Sequence, residues 1–307
     1  MRVRIASVQY RFRQIDDWEG FARQVGFVLH AAADYKPQFV LLPEIFTTQL
    51  LCYMDNDDVH SAVRALAGYT ERYIALMREF AVADNYYLIG GSHPTLRDGK
   101  LYNTAYLFTP KGEVFTQDKL HRTRWEKDEW KTEHGDSLQV FETEHGRIAI
   151  LICYDIEFPE LARRVSELGT EIIFVPSCTD DRQGFLRVRY CCHARAIENQ
   201  VYVAMTSTVG NLGAEGLRLH YGQAAIITPS DFPFARDGIA AEGVINEEQI
   251  IVADVDLRLL DENRLKGTTI PLLDKRTDFY SLTAPVIVDV RGAVEAPQAL
   301  EAASTPI

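Results

Sequence analysis

Short apolar, β-branched runs alternate with helix-spaced segments along almost the whole chain, and this alternation constrains the fold most tightly. Val3–Val8 reads as a strand, and Asp17–Ala33 repeats apolar residues at Phe21, Val25, Val28 and Leu29, the spacing of a helix. Phe39-Val-Leu-Leu-Pro is a short buried-looking strand that stops at Glu44. Thr70–Asp84 is again helical, with Tyr73, Leu76, Met77 and Phe80 on one face. Tyr87–Gly90, Tyr102–Thr109 and Glu113–Gln117 read as successive strands, the last two joined by a turn at Pro110-Lys111-Gly112. A polar loop runs from Lys119 to Asp136, and Leu138–Glu142 and Arg147–Ile152 then form a hairpin. Pro159–Leu168 is a helix with proline in its first turn, Ile172–Val175 a strand and Gly184–Asn199 a helix. Tyr202–Thr206, Gln223–Ile227 and Ile250–Val255 complete the set of strands.

No linker-like segment interrupts this pattern, so the 307 residues are read as one α/β domain over 1–293 with sheets covered by helices. The stretch 294–307, rich in Ala, Glu and Pro, is expected to be a loose tail. Phe39-Val-Leu-Leu-Pro-Glu44 is echoed by Ile172-Ile-Phe-Val-Pro-Ser177, either a pair of pseudo-symmetric halves or a coincidence.

A formal net charge of −12 argues against nucleic-acid or anionic-membrane partners, which need clustered Lys and Arg. No stretch approaches the roughly 20 apolar residues of a membrane helix, and the start reads as a strand rather than a secretory signal. The expected location is cytoplasmic. Cys52, Cys153, Cys178, Cys191 and Cys192 are odd in number and lack a CxxC pair, which points to reduced thiols and no zinc site.

Three polar groups stand at strand exits. Cys153 follows Arg147-Ile-Ala-Ile-Leu-Ile and precedes a helix beginning near Phe158-Pro159. Such a strand–turn–helix junction lifts a nucleophile clear of a sheet and frees backbone N–H groups for an oxyanion. Alone, Cys153 also fits the commoner case of a small hydrophobe ending a buried strand. A buried Glu44 would have a raised pKa and serve as base, then acid; alone, it fits better a strand-end acid that simply reaches solvent. Lys119 could offer a cation to an oxyanion or a thiol, although most lysines are solvated. The coincidence of the three at strand exits, where α/β sheets gather active-site groups, is what counts. A papain-like Cys–His pair is the rival arrangement. Neither His121, read as a loop residue, nor His193, read as helix packing, has that signature.

With these residues in view, the chain resembles the nitrilase superfamily, also called the carbon–nitrogen hydrolases, over nearly its whole length. The resemblance rests on Leu41-Leu-Pro-Glu44, Asp118-Lys119-Leu-His and Ile152-Cys-Tyr-Asp-Ile-Glu-Phe-Pro-Glu160, with Ala194-Arg-Ala-Ile-Glu-Asn199 in support. It implies a single-domain, four-layer αββα sandwich and a triad at Glu44, Lys119 and Cys153. It also implies homodimeric pairing, no metal and no organic cofactor. In the chemistry so implied, Lys119 and the backbone N–H of Tyr154 hold the oxyanion. Many members carry a second glutamate after the lysine. Glu126 is chosen because Thr-x-x-Glu at this distance resembles one branch, with Glu129 a competitor and Asp128 a remote one. The loop departs from the family's Pro-Gly-Asp turn by reading Glu133-His-Gly-Asp136, which leaves its register open.

A small-molecule amide is the expected substrate; a nitrile or an N-carbamoyl compound is the alternative with the same triad. A catalytically silent scaffold of the same fold is the reading from another class, and the intact triad counts against it. Arg122, Arg124, Arg182, Arg187 and Arg189 are candidates to meet a substrate carboxylate, and Trp125, Tyr154 and Phe185 to wall the pocket.

Overall fold

Alternate residues of the first strand enter two different cores. In β1 (Arg2–Arg11), Val3 and Ile5 join one buried cluster, whereas Ala6, Val8 and Tyr10 join another. The same period-two division recurs in β2 (Phe39–Leu41), β3 (Tyr87–Arg97) and β4 (Lys100–Phe108): Phe39, Leu41, Ile89 and Leu107 face one way, Val40, Leu88 and Phe108 the other. A sheet buried on both faces needs a layer on each side. This is a computed structural model, and it describes residues 1–54, 58–212, 219–280 and 288–291.

On one side the layer is helical. It contains α1 (Trp18–Ala33), whose N-cap Asp17 accepts from the Gly20 N–H at 2.6 Å, and, after the short α2 (Val59–Leu66), α3 (Thr70–Ala83). Phe21, Val25 and Leu29 of α1 and Tyr73 and Met77 of α3 fill this core.

On the other side lies a second sheet. The antiparallel β5 (Val114–Asp118) joins β4, and the chain then builds β6 (Leu138–Thr143), β7 (Gly146–Ile150), β8 (Ile172–Ser177) and β9 (Tyr202–Val209). The last three are parallel, and their crossovers carry α4 (Pro159–Glu167) and α5 (Arg182–Asn199). Leu161 and Val165 of α4 and Phe185, Val188 and Cys192 of α5 are buried with this sheet. Phe39 and Phe174 meet between the sheets with ring centroids 5.2 Å apart. The echoed segments thus face each other across the sandwich, and the layers read helix, sheet, sheet, helix, the expected αββα order.

β10 (Ala225–Ile227) and β11 (Ile239–Glu242) add antiparallel strands beyond β9. β12 (Gln249–Asp256) returns along β1 from Gln9↔Gln249 to Arg2↔Asp256 and leads into α6 (Leu257–Lys266). β13 (Val288–Arg291) pairs parallel with β6. β1 ties the halves together, pairing with β2 and β12 and, at Tyr10 and Arg11, with β9.

The sequence reading stops β3 at Gly90, whereas the strand continues to Arg97 through a bulge between Ile89 and Ser92. Small residues at a bulge look like a loop end because they carry no alternation. The reading also lacks α2, α6, β11 and β13, the two strands being four residues each and too short to establish a period. The tail expected over 294–307 lies outside the described residues. Among those described, no helix is long and apolar enough to cross a membrane.

Candidate active site

Glu44 leaves β2 at a forced bend. Leu42 N–H still bonds the Ile89 carbonyl at 2.9 Å, but Ile45 takes a left-handed φ of 44°, a costly conformation for a β-branched residue. Its N–H is held by Ser92 Oγ at 3.0 Å. Gly91, with φ 69°, lets the two strands touch: a Cβ there would lie 2.0 Å from the Pro43 carbonyl oxygen. The bulge in β3 therefore shapes the exit that aims Glu44 inward.

Lys119 follows β5 and extends the ladder by one bond, its N–H donating to the Asn103 carbonyl at 2.8 Å. Its own carbonyl accepts from Gly135 N–H at 2.8 Å, and a Cβ on Gly135 would meet Asp118 Cβ at 2.8 Å. The divergent Glu133-His-Gly-Asp136 turn thus closes onto the backbone of the lysine. Between these points Thr123 and Glu126 form a capping box: Glu126 Oε2 accepts from Thr123 N and Oγ1 at 2.8 and 2.9 Å, and Glu126 N donates to Thr123 Oγ1 at 3.3 Å. The box opens the helical turn Glu126–Trp130 and turns Glu126 inward, with 4% exposed; Asp128 and Glu129 are on its exposed side.

Cys153 begins a one-turn helix over Cys153–Glu157, directly after β7 and its extension Leu151-Ile152, with φ 48°. Asp155 in that turn is buried and accepts from Leu120 N at 3.2 Å, His121 N at 2.8 Å and His121 Nδ1 at 3.0 Å. It fastens the cysteine turn to the lysine loop, and His121 stacks on Phe158 with centroids 3.5 Å apart. Tyr154 lies in the first turn, where helix geometry leaves N–H groups without intrahelical acceptors.

These segments bring Glu44, Lys119, Glu126 and Cys153 together, each at most 5% exposed. Lys119 Nζ donates to Glu44 Oε1 at 2.7 Å and to Glu126 Oε2 at 2.8 Å. Asn103 Nδ2 donates to Glu44 Oε1 and Glu126 Oε1, both at 2.9 Å, and Cys178 N to Glu44 Oε2 at 3.0 Å. Burial raises the Glu44 carboxyl above its ordinary value, only partly offset by Lys119. Burial also acts upward on Glu126, but Lys119, Asn103 and Thr123 outweigh it and hold that carboxyl low. Lys119 is held well above its ordinary value because Glu126 and Glu44 outweigh its burial. Burial and the facing Glu44 push the Cys153 thiol well up, so it rests protonated and needs a base.

A cavity of about 300 Å³ opens at this cluster. Val63, Trp125, Trp130 and Val188 give it apolar walls, and Arg124, Glu157, Asp180 and Arg187 add charge. Of the arginines proposed from sequence, Arg124 and Arg187 line it. Arg122 instead bonds the Thr132 carbonyl, and Arg189 is buried against Gln223 and Glu242. Trp125 and Tyr154 are wall residues as expected; Phe185 is core, packed on Tyr221.

Sequence reasoning missed Asn103, Cys178 and His220. Tyr102-Asn-Thr-Ala was the available signal for Asn103. His220, bonded through Nδ1 to Thr208 Oγ1 at 3.0 Å and Cys178 Sγ at 3.4 Å, had none; burial lowers its pKa to about 4. Among the described residues no His, Cys, Asp and Glu group is arranged to hold a metal ion.

The family model for carbon-nitrogen hydrolases matches residues 4–264. A Bacillus subtilis (strain 168) protein named probable hydrolase YhcX is 48% identical over 281 residues, 91% of this chain; the chain spans 55% of that relative's length. Omega-amidase NIT2 of Xenopus tropicalis is 32% identical over 265 residues, covering 83% of this chain and 89% of that protein. Among solved structures, a mutant of the amidase from Nesterenkonia sp. AN1, showing covalent addition of the acetamide moiety of fluoroacetamide at the active site cysteine, superposes with TM-score 0.71. It is 21% identical and covers 90% of this chain and 95% of its own. Matched by that family model over residues 4–264, the chain belongs to the carbon-nitrogen hydrolase family.

Proposed function

We propose that the chain hydrolyses the C–N bond of a small amide through a thioester on Cys153. The observation that carries this reading is the buried cluster of Glu44, Lys119 and Cys153 beside one cavity. Glu44 takes the thiol proton as sulfur attacks the amide carbon, and the oxyanion is held by Lys119 and the Tyr154 N–H. An ammonium has three protons, and Lys119 commits two of them to Glu44 and Glu126, which leaves one for the oxyanion. Glu44 then passes its proton to the departing nitrogen as the C–N bond breaks, releasing ammonia or an amine. Water, deprotonated by Glu44, attacks the thioester, and the acid leaves as the proton returns to sulfur. Glu126 holds Lys119 in place and, lining the same cavity, orients the amide. A panel of amides, nitriles and ureido compounds assayed for ammonia release tests the reading: amides should be turned over, and Cys153→Ala should abolish it.

Arg124 and Arg187 on the cavity wall support an amide that carries a distal carboxylate, in keeping with the omega-amidase name of relatives. Arg124→Ala should raise KM for such an amide roughly 10-fold, the worth of one charged hydrogen bond, and leave a neutral amide of equal length unaffected. Five free cysteines support a reducing, cytoplasmic setting. Tyr190 and Ile197, seven residues apart on α5 and 65% and 44% exposed, support pairing of two copies through this helix.

A further inference from the structure

Among the described residues Asn103 is the one neutral side chain that bonds both buried carboxylates. It lies on β4, 2% exposed, and its carbonyl receives the Lys119 N–H at 2.8 Å, so one backbone bond sets the positions of both residues. Its amide nitrogen spends both protons, one on Glu44 Oε1 and one on Glu126 Oε1, each at 2.9 Å. Oδ1 is buried and has no hydrogen-bond partner among the described residues. A side chain kept only to satisfy itself would not leave an acceptor stranded, because desolvation without a partner is unfavourable. The donors are what the site uses.

With Lys119 on the opposite side, the four groups form a closed ring: Glu44, Lys119, Glu126, Asn103. Lys119 alone could bridge the carboxylates, but one tether leaves each free to turn about it. Glu126 has other anchors in Thr123 N and Oγ1, whereas among the described residues Glu44 has, besides Lys119 and Asn103, the Cys178 N–H and the thiol of Cys153 that it serves. The group that must meet Cys153 is thus the one more dependent on Asn103.

We propose that Asn103 is a positioning residue for amide cleavage, clamping Glu44 and Glu126 at fixed separation around the Lys119 ammonium so that Glu44 is presented to Cys153. The proposal rests on the Glu44–Lys119–Cys153 reading above. Among the described residues the charged and titratable groups around Glu44 are Lys119 after β5, Glu126 in the helical turn Glu126–Trp130, Cys153 in the one-turn helix after β7 and Cys178 after β8. Removing a donor from Glu44 among these groups destabilises its charged form, so it should lose its proton at higher pH.

The experiment follows iodoacetamide alkylation of Cys153 against pH, site-resolved by mass spectrometry, in wild type, Asn103→Leu, Asn103→Asp and Asn103→Ser, alongside kcat and KM on an accepted amide. Asn103→Leu should move the acid limb of alkylation and of kcat/KM upward by about one pH unit. It should lower kcat roughly 10- to 100-fold with KM changed far less. Asn103→Asp, which puts a third carboxylate in the ring, should move the limb further than Leu. Should Leu not fold, Asn103→Ser reads the same direction of shift with a side chain small enough for the site. Folded variants whose limbs coincide with wild type overturn the proposal, as does a ranking that follows melting temperature instead of charge. If wild-type Cys153 is not alkylated at any pH, the underlying catalytic reading fails instead.

Discussion

Cys153 and Ile45 both take left-handed backbone at the exits of facing sheets, with φ 48° and 44°, in side chains that ordinarily avoid it. Such conformations cost roughly 1–3 kcal/mol each and persist where the surroundings impose them. At these two positions they turn Glu44 and Cys153 toward one cavity. The thiol they present is protonated, so the account requires Glu44 as base. Glu44→Gln should slow both turnover and alkylation of Cys153, turnover by roughly 100- to 10,000-fold. The sign of the pH dependence follows from burial. Because the carboxyl of Glu44 is raised, kcat/KM should fall as pH drops through a value above the ordinary glutamate range. A pH–rate profile whose acid limb lies at or below that range would count against Glu44. Lys119→Met should lower kcat roughly 100- to 1000-fold, as expected for loss of an oxyanion donor. Glu126→Gln weakens the hold on Lys119, and steady-state kinetics should show a clear loss; exposed Glu129→Gln should stay within about twofold.

At the scale of elements, the site depends on contacts between segments distant in sequence. Asp155 ties the cysteine turn to the lysine loop by three hydrogen bonds. Asp155→Ala strands those donors and should lower stability by roughly 2–4 kcal/mol, measured by denaturant unfolding. Gly91→Ala places a Cβ against the Pro43 carbonyl at a positive φ and should do comparable damage. These dependencies explain what was legible beforehand. A helix such as Asp17–Ala33 declares itself by period and a buried strand such as Phe39–Leu41 by an unbroken apolar run, both local properties. Glu126 was reachable through Thr-x-x-Glu, a capping box that is itself local. Asn103 and Glu44 are 59 residues apart, and no periodicity tells that one will bond the other. His220 was invisible for the same reason: its partners Cys178 and Thr208 lie 42 and 12 residues away. The bulge in β3 hid because glycines break the pattern while the strand continues.

On the scale of the whole molecule, the two sheets bury their shared face and leave the exits of β2, β5 and β7 around one cavity, where Glu44, Lys119 and Cys153 meet. The outer helices leave apolar groups of α5 in solvent, and pairing through that helix is testable. Light scattering should give twice the chain mass, and Tyr190→Glu with Ile197→Glu should shift it toward one. The central claim concerns the chemistry of Cys153. Intact-mass and peptide mass spectrometry of the protein quenched during turnover of an accepted amide, or after fluoroacetamide, measures it most directly. The account predicts a single acyl or acetamide adduct on Cys153, absent in Cys153→Ala and reduced in Glu44→Gln. Undiminished turnover in Cys153→Ala, or an adduct carried by Cys178 while Cys153 stays unmodified, would contradict it.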